Sequence, residues 1–222
     1  LAMLFQQKKA LVLSDFDGTI SRVDVGDGVL SRFASESREA IDSAYIRGGM
    51  GSREAYGKIA PLVRVDAGRL RAYVLKCSAI DPYFSRFYRL AAKKGVDVKI
   101  VSDGLDFYIR AILDKHRLGE IEFYSNTVAF GGEDTLTFDF PQANALCGRC
   151  GTCKSKILHD HRLMYEKIIY VGDGHSDICP SQYADLIFAK GELLKKCRRE
   201  SAVPYRAFHD FREVSEYLKK NV

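Results

Sequence analysis

"LVLSDFDGTI", Leu11 to Ile20, decides how the chain folds. An apolar run ends in Ser-Asp, and a second aspartate follows one residue later, ahead of Gly-Thr. The run has the length and aliphatic content of a buried parallel strand, and turn-forming residues come after it. A turn accounts for one carboxylate. Two acids crowded at a strand end need a chemical reason.

The same design recurs. "VDVKIVSD" (Val96 to Asp103) and "KIIYVGD" (Lys167 to Asp173) are apolar runs closing on Ser-Asp and Gly-Asp, while "EIEFYS" (Glu120 to Ser125) and "ADLIFA" (Ala184 to Ala189) read as shorter strands. Helical patterns separate them: "PYFSRFYRLAAKKG" runs from Pro82 to a stop at Gly95, and "KSKILHDHRLMYEK" precedes the strand at Ile168. Alternating strands and helices predict an α/β fold built on a parallel sheet. "NTVAFGGEDTLTFDF", Asn126 to Phe140, alternates around Gly-Gly and predicts a small antiparallel excursion. Between the first two long strands lies a polar span, residues 23–81, with helically spaced apolar positions in "DGVLSRFASESREAIDSAYI". A crossover needs only about a dozen residues. The excess predicts a helical cap at 23–81, inserted into a core formed by 1–22 and 82–222.

Composition narrows the function. With 222 residues, 46% apolar and 28% charged, the chain can bury a sizeable core. The net charge of +5 favours anionic substrates but does not mark a nucleic-acid binder, and the densest basic cluster, "KKCRRE" (Lys195 to Glu200), reads as a solvated helix face. No apolar stretch approaches the roughly 20 residues of a membrane span. The start, "LAMLFQQKK", lacks the apolar stretch and cleavage site of a signal peptide, so a cytoplasmic protein is expected, with neither nucleic acid nor membrane as partner. No oligomeric state follows from the sequence.

In an open parallel sheet the carboxyl ends of the strands share one edge, where ligands bind. Asp15, Asp103 and Asp173 should therefore converge, with Asp17 close by. Carboxylates gathered in one crevice repel each other unless a cation sits among them, and hard oxygen ligands suit Mg²⁺. Such a cation would keep Asp15 ionised as a nucleophile and leave Asp17 to carry a proton. A phosphate ester also needs donors, which Thr19, Ser102 with the Gly104 turn, and Lys154 at a helix start can supply. "CGRCGTC" sets Cys147, Cys150 and Cys153 at two-residue gaps. Zn²⁺ fits that spacing, with His159, His161 or water completing the set; reduced loop thiols and a disulfide or redox role are the other readings.

Four blocks resemble, in order, the motifs of the haloacid dehalogenase (HAD) superfamily of phosphotransferases: "DFDGTI" (Asp15 to Ile20), "VSDG" (Val101 to Gly104), Lys154 before "SKIL", and "GDGHSD" (Gly172 to Asp177). The insertion after the first block is similar to the cap of the phosphoserine-phosphatase-like branch. "CGTCKSKIL" and the tail "LLKKCRRESAVPYRAFHDFREVSEYL" resemble the methionine-salvage phosphatases that act on 2-hydroxy-3-keto-5-methylthiopentenyl-1-phosphate. The resemblance implies a HAD-like Rossmannoid sheet flanked by helices and a small phosphorylated metabolite as substrate. It implies that Asp15 forms an aspartyl-phosphate while Asp17 protonates the leaving alkoxide and then activates water. Mg²⁺ would be held by Asp15, the backbone carbonyl of Asp17 and Asp173, with Asp177 in support. Ser102 and Lys154 would bind the phosphoryl oxygens.

Three positions stand apart. Asp103 occupies a place where the serine-phosphatase pattern carries glycine. His175 is unusual in the fourth block and is either a substrate contact or a surface turn residue. Asp24 sits nine residues after Asp15, where the branch places an acid facing the leaving group; a surface acid of the insertion is the plainer reading. Phosphoserine is the rival substrate, and a non-catalytic phosphate-binding or zinc-modulated regulator is the reading outside enzymology.

Overall fold

The computed structural model describes residues 7–34 and 38–222. Residues 1–6, on which much of the leaderless reading rests, and residues 35–37, within the span patterned as helix, lie outside the described residues.

The strands are β1 (Ala10–Ser14), β2 (Val96–Leu105), β3 (Phe123–Phe130), β4 (Leu136–Asp139), β5 (Ile168–Gly172), β6 (Leu186–Ala189) and β7 (Tyr205–Ala207). The helices are α1 (Val25–Phe33), α2 (Glu39–Ile46), α3 (Ser52–Ile59), α4 (Ala67–Lys76), α5 (Phe84–Lys93), α6 (Asp106–Lys115), α7 (Lys154–His161), α8 (Ile178–Ser181), α9 (Gly191–Glu200) and α10 (Phe211–Asn221). The chain divides into two compact units, one of residues 1–22, 80–101 and 154–222, the other of 23–79 and 102–153. The second unit therefore takes in, besides the inserted helices, a stretch assigned to the core from sequence. Among the described residues no helix is long and apolar enough to cross a membrane.

The first unit holds a parallel sheet in the order β2-β1-β5-β6-β7. Its central strand β1 is buried along its whole length, as a strand covered on both faces must be. Ser14 is in register with Ile100 of β2 and Val171 of β5, and Gly172 with Ala189 of β6. That register brings the residues following β1 and β5 to one edge. Against the sheet, α5 and α10 interlock through Phe84, Phe87 and Phe211, all fully buried, with ring centroids of Phe84 and Phe87 each 4.9 Å from that of Phe211. Each such ring contributes about 1.5–3 kcal/mol of burial. Helix α9 buries Leu193 and Cys197 and leaves Lys195, Arg198 and Arg199 exposed.

Helix α7 is shorter than its sequence suggests. The helical run stops at His161, because Leu163 and Met164 fall outside the apolar stripe and stand exposed, and Tyr165 instead forms a parallel bridge with Lys8. In the second unit, β3 and β4 pair antiparallel from Thr127–Asp139 to Phe130–Leu136 around Gly131 and Gly132. Residues 96–101 of β2 belong to the first unit and residues 102–105 to the second.

Candidate active site

The ladder of β1 continues one residue past the strand, as the Asp15 amide donates to the Val171 carbonyl at 2.9 Å. Beyond it the chain turns tightly: the amides of Thr19, Ile20 and Ser21 all donate to the Phe16 carbonyl, and the Phe16 ring is fully buried. Phe16 anchors the turn inward. Asp15 is 6% exposed, and Asp17 is half-buried. Gly18 adopts φ +69°, and a Cβ there would lie 2.5 Å from Asp173 Oδ2, so both backbone conformation and space exclude a side chain. The Thr19 hydroxyl, offered by the sequence to a phosphate, donates to Asp173 Oδ1 at 2.6 Å.

Lys154, the first residue of α7, is 3% exposed. Its ammonium reaches Asp15 Oδ1 at 2.8 Å, Asp177 Oδ1 at 2.7 Å and Ser176 Oγ at 3.0 Å, which commits all three of its donors. Asp177 is fully buried in the short 3₁₀ turn His175–Asp177. Besides Lys154 it accepts the Tyr170 hydroxyl at 2.7 Å on Oδ1, and the amides of Asp173 and Gly174 at 3.0 Å each on Oδ2. Four donors saturate this carboxylate. Close packing again demands glycine, since a Cβ at Gly172 would come within 2.5 Å of Asp177 Oδ2.

Asp15, Asp173 and Asp177 present oxygens that lie within 4.8 Å of one another. Their electrostatics are unequal. Burial, with Asp177 adding to it, holds the Asp15 carboxyl well above the usual range in spite of Lys154. Burial likewise raises Asp173, against the Thr19 hydrogen bond. Burial alone would raise Asp177 too, but the Lys154 charge and the donors around it bring it below the usual value. Lys154 would be lowered by burial, yet Asp15 and Asp177 push it well above the ordinary lysine value. Lys154 thus bonds two of the three carboxylates, and Asp15 and Asp173 resist ionisation. A hard, oxygen-seeking divalent cation is what this donor set fits.

The other residues singled out from the sequence are placed as follows. His175 is exposed on its 3₁₀ turn. In the second unit, Asp24 is exposed and caps α1 by accepting the Asp27 amide at 2.7 Å. Ser102 is buried and accepts the Gly104 amide at 3.0 Å, leaving its hydroxyl proton to donate elsewhere. Asp103 binds Asn126 and Thr152. The zinc reading finds no support. Cys147 is exposed, Cys150 half-buried and Cys153 buried, none is in a disulfide, and among the described residues their sulfurs do not gather into a ligand set. The two-residue gaps run along an irregular loop rather than around a knuckle.

Three neighbours were missed. Tyr170 and Ser176 hold Asp177 and Lys154, and Lys190 lies with its ammonium 3.5 Å from the Thr19 carbonyl and over the Phe208 ring. Burial lowers the Lys190 ammonium. Lys190 follows β6 as Asp173 follows β5, so the strand-end rule that found the acids could have found it.

Solved structures share this fold. A HAD-family hydrolase from Salmonella enterica serovar Typhi aligns over 97% of this chain and 73% of its own, with a TM-score of 0.73 and 19% identity. A phosphoserine phosphatase captured as a phospho-aspartyl intermediate analogue aligns over 96% and 99%, with a TM-score of 0.70 and 22% identity. The architecture is thus that of the HAD hydrolases. Residues 10–191 match the family model described as Putative Phosphatase, and the chain belongs to that family. Among its relatives is the 2-hydroxy-3-keto-5-methylthiopentenyl-1-phosphate phosphatase of Brevibacillus brevis, 27% identical over 96% of both chains. The bifunctional enzyme MtnB/MtnX of Bacillus licheniformis is 28% identical over 96% of this chain, which spans half of that longer protein.

Proposed function

We propose that the protein is a Mg²⁺-dependent phosphatase that hydrolyses a small phosphate monoester through an aspartyl-phosphate on Asp15. One observation supports this above the others: a buried carboxylate at the strand end, bonded to a buried lysine and within 4.8 Å of two further acids. Asp15, Asp173 and the backbone carbonyl of Asp17 would hold the ion. Asp177, already saturated by four donors, would support it through the loop it organises. The bound ion supplies positive charge that offsets the phosphoryl group and lets Asp15 approach it ionised.

Asp15 attacks phosphorus, so that an Asp15 O–P bond forms as the ester P–O bond breaks. Asp17 gives its proton to the departing alkoxide. It then takes a proton from the water that cleaves the Asp15–phosphorus bond and releases inorganic phosphate. Ser102 donates its hydroxyl to a phosphoryl oxygen, and Lys154, giving up its bond to Ser176, donates to another, where charge is held through the transition state.

The substrate best supported is 2-hydroxy-3-keto-5-methylthiopentenyl-1-phosphate, on which a relative of equal length is named. Phosphoserine is the rival. Phosphate release across a panel of enol, amino-acid and sugar phosphates, with and without Mg²⁺, tests the reading. Activity is expected only with the metal, highest on the enol phosphate, and Asp15→Asn abolishes it. A wild type inactive on every ester, or an active Asn variant, refutes the mechanism.

A further inference from the structure

Asp103 occupies the position next to Ser102, and its carboxylate is engaged within its own unit. Asp103 Oδ1 accepts the Thr152 amide at 2.9 Å and Asn126 Nδ2 at 3.2 Å. Asn126 is fully buried; its Nδ2 also donates to the Asp103 carbonyl at 2.6 Å, and its Oδ1 accepts the Thr152 hydroxyl at 3.1 Å. On either side of Thr152 the backbone is equally committed. The Gly151 amide donates to Ser52 Oγ at 3.0 Å, and the Cys153 amide to the Gln142 carbonyl at 3.0 Å. Three consecutive amides are therefore fixed immediately before Lys154. Gly151 permits the fit, because a Cβ there would lie 2.5 Å from Asn126 Oδ1.

We propose that Asp103 is a positioning residue for phosphate binding. Its carboxylate ties residues 151–153 to residues 102–105 of the same unit, so that the segment carrying Ser102 is held and the loop leading into Lys154 is fixed. This rests on the phosphatase reading, which gives both residues to the phosphoryl group. A loop with glycines at 148 and 151 does not hold a following lysine in place by itself. Donors to a transferring phosphoryl group lose most of their effect when displaced by about 1 Å. The acid in place of glycine is then a loop anchor, its carboxylate accepting from an amide and a carboxamide.

The test compares Asp103→Ala, Asp103→Asn and Thr152→Val in the full chain with Mg²⁺, by the inhibition constant for inorganic phosphate and by amide hydrogen exchange over residues 150–154. Asp103→Ala is expected to weaken phosphate inhibition about tenfold, the effect of losing one hydrogen bond to a charged acceptor, and to speed exchange in that segment. Asp103→Asn keeps an oxygen for the Thr152 amide and stays within about threefold of wild type on both measures. Thr152→Val removes only the hydroxyl bond and moves both in the same direction by less. Phosphate inhibition lost without faster exchange, an Asn variant as damaged as Ala, or no change in Asp103→Ala overturns the proposal. Should Asp103→Ala fail to fold, Thr152→Val decides, and movement of one measure alone overturns it. A wild type that releases phosphate from no ester sinks the phosphatase reading, and the exchange measurement then decides the anchor by itself.

Discussion

Lys154 has three donors, and the fold directs them to Asp15, Asp177 and Ser176. Removing the ammonium leaves two buried carboxylates without a counter-charge. Lys154→Met is expected to cost on the order of 3–5 kcal/mol in urea unfolding of the metal-free protein; a loss below about 1 kcal/mol would show that the ion pairs contribute little there. The unequal acids set the pH behaviour. Asp15 and Asp173 titrate above an unfolded carboxylate, so unfolding lets them ionise more readily, and they subtract stability as pH climbs from about 4. Asp177 titrates below it and adds stability that disappears as pH falls under about 4. Mg²⁺ bound as proposed would relieve the first effect only. Its stabilisation, followed as the shift in Tm, should therefore be larger at pH 7 than at pH 5, and an equal shift would contradict the charge balance described. Gly18 is the steric counterpart: Gly18→Ala must push Asp173 aside, and should raise the Mg²⁺ concentration for half-maximal activity while circular dichroism stays unchanged.

At the scale of elements, α10 shows what a short capping sequence achieves. Asp210 accepts the Arg212 amide at 2.9 Å, Glu213 reaches back to the Asp210 amide, and the helix that follows buries Phe211, Val214 and Leu218. Asp210→Ala is expected to cost about 1 kcal/mol at pH 7 by urea denaturation, typical of a lost N-cap. The Arg212 guanidinium beside it holds the Asp210 carboxyl down to about 2. Its contribution is present above the ordinary carboxylate value and fades as pH drops from about 4 toward 2, so wild type and variant should converge across that interval. A constant gap would assign the effect to something other than the ionised cap. Helix α7 teaches the opposite. Its sequence pattern suggested six more residues of helix, to Lys167, but Tyr165 forms its bridge with Lys8, far away in sequence, and the helix gives way.

For the whole molecule, the proposed cation at the acidic cluster would make stability a function of metal. Mg²⁺ at about 100 times its Kd adds about 2.7 kcal/mol, which for a chain of this length raises Tm by roughly 5–10 °C. Chelation with EDTA should reverse the shift, and no shift under saturating metal would count against a built cation site. The parallel sheet and the strand-end acids were legible because buried strands read as continuous apolar runs and their carboxyl ends must share an edge. The expectation that Asp15, Asp103 and Asp173 converge followed from that geometry alone, and Asp15 and Asp173 do meet. Tyr170 was not legible, since nothing in "KIIYVGD" separates a tyrosine that packs from one that bonds a buried carboxylate. Nor was the grouping of residues 102–153 with the inserted helices, which depends on contacts such as Gly151 to Ser52 across 99 positions of sequence. The sequence by itself determined the long apolar strands β1, β2 and β5 and the identity of the crowded acids, because periodicity and turn residues are local. Only the tertiary structure decided how each acid is charged and what Asp103 binds, because burial and hydrogen-bond partners come from residues that the chain brings together by folding.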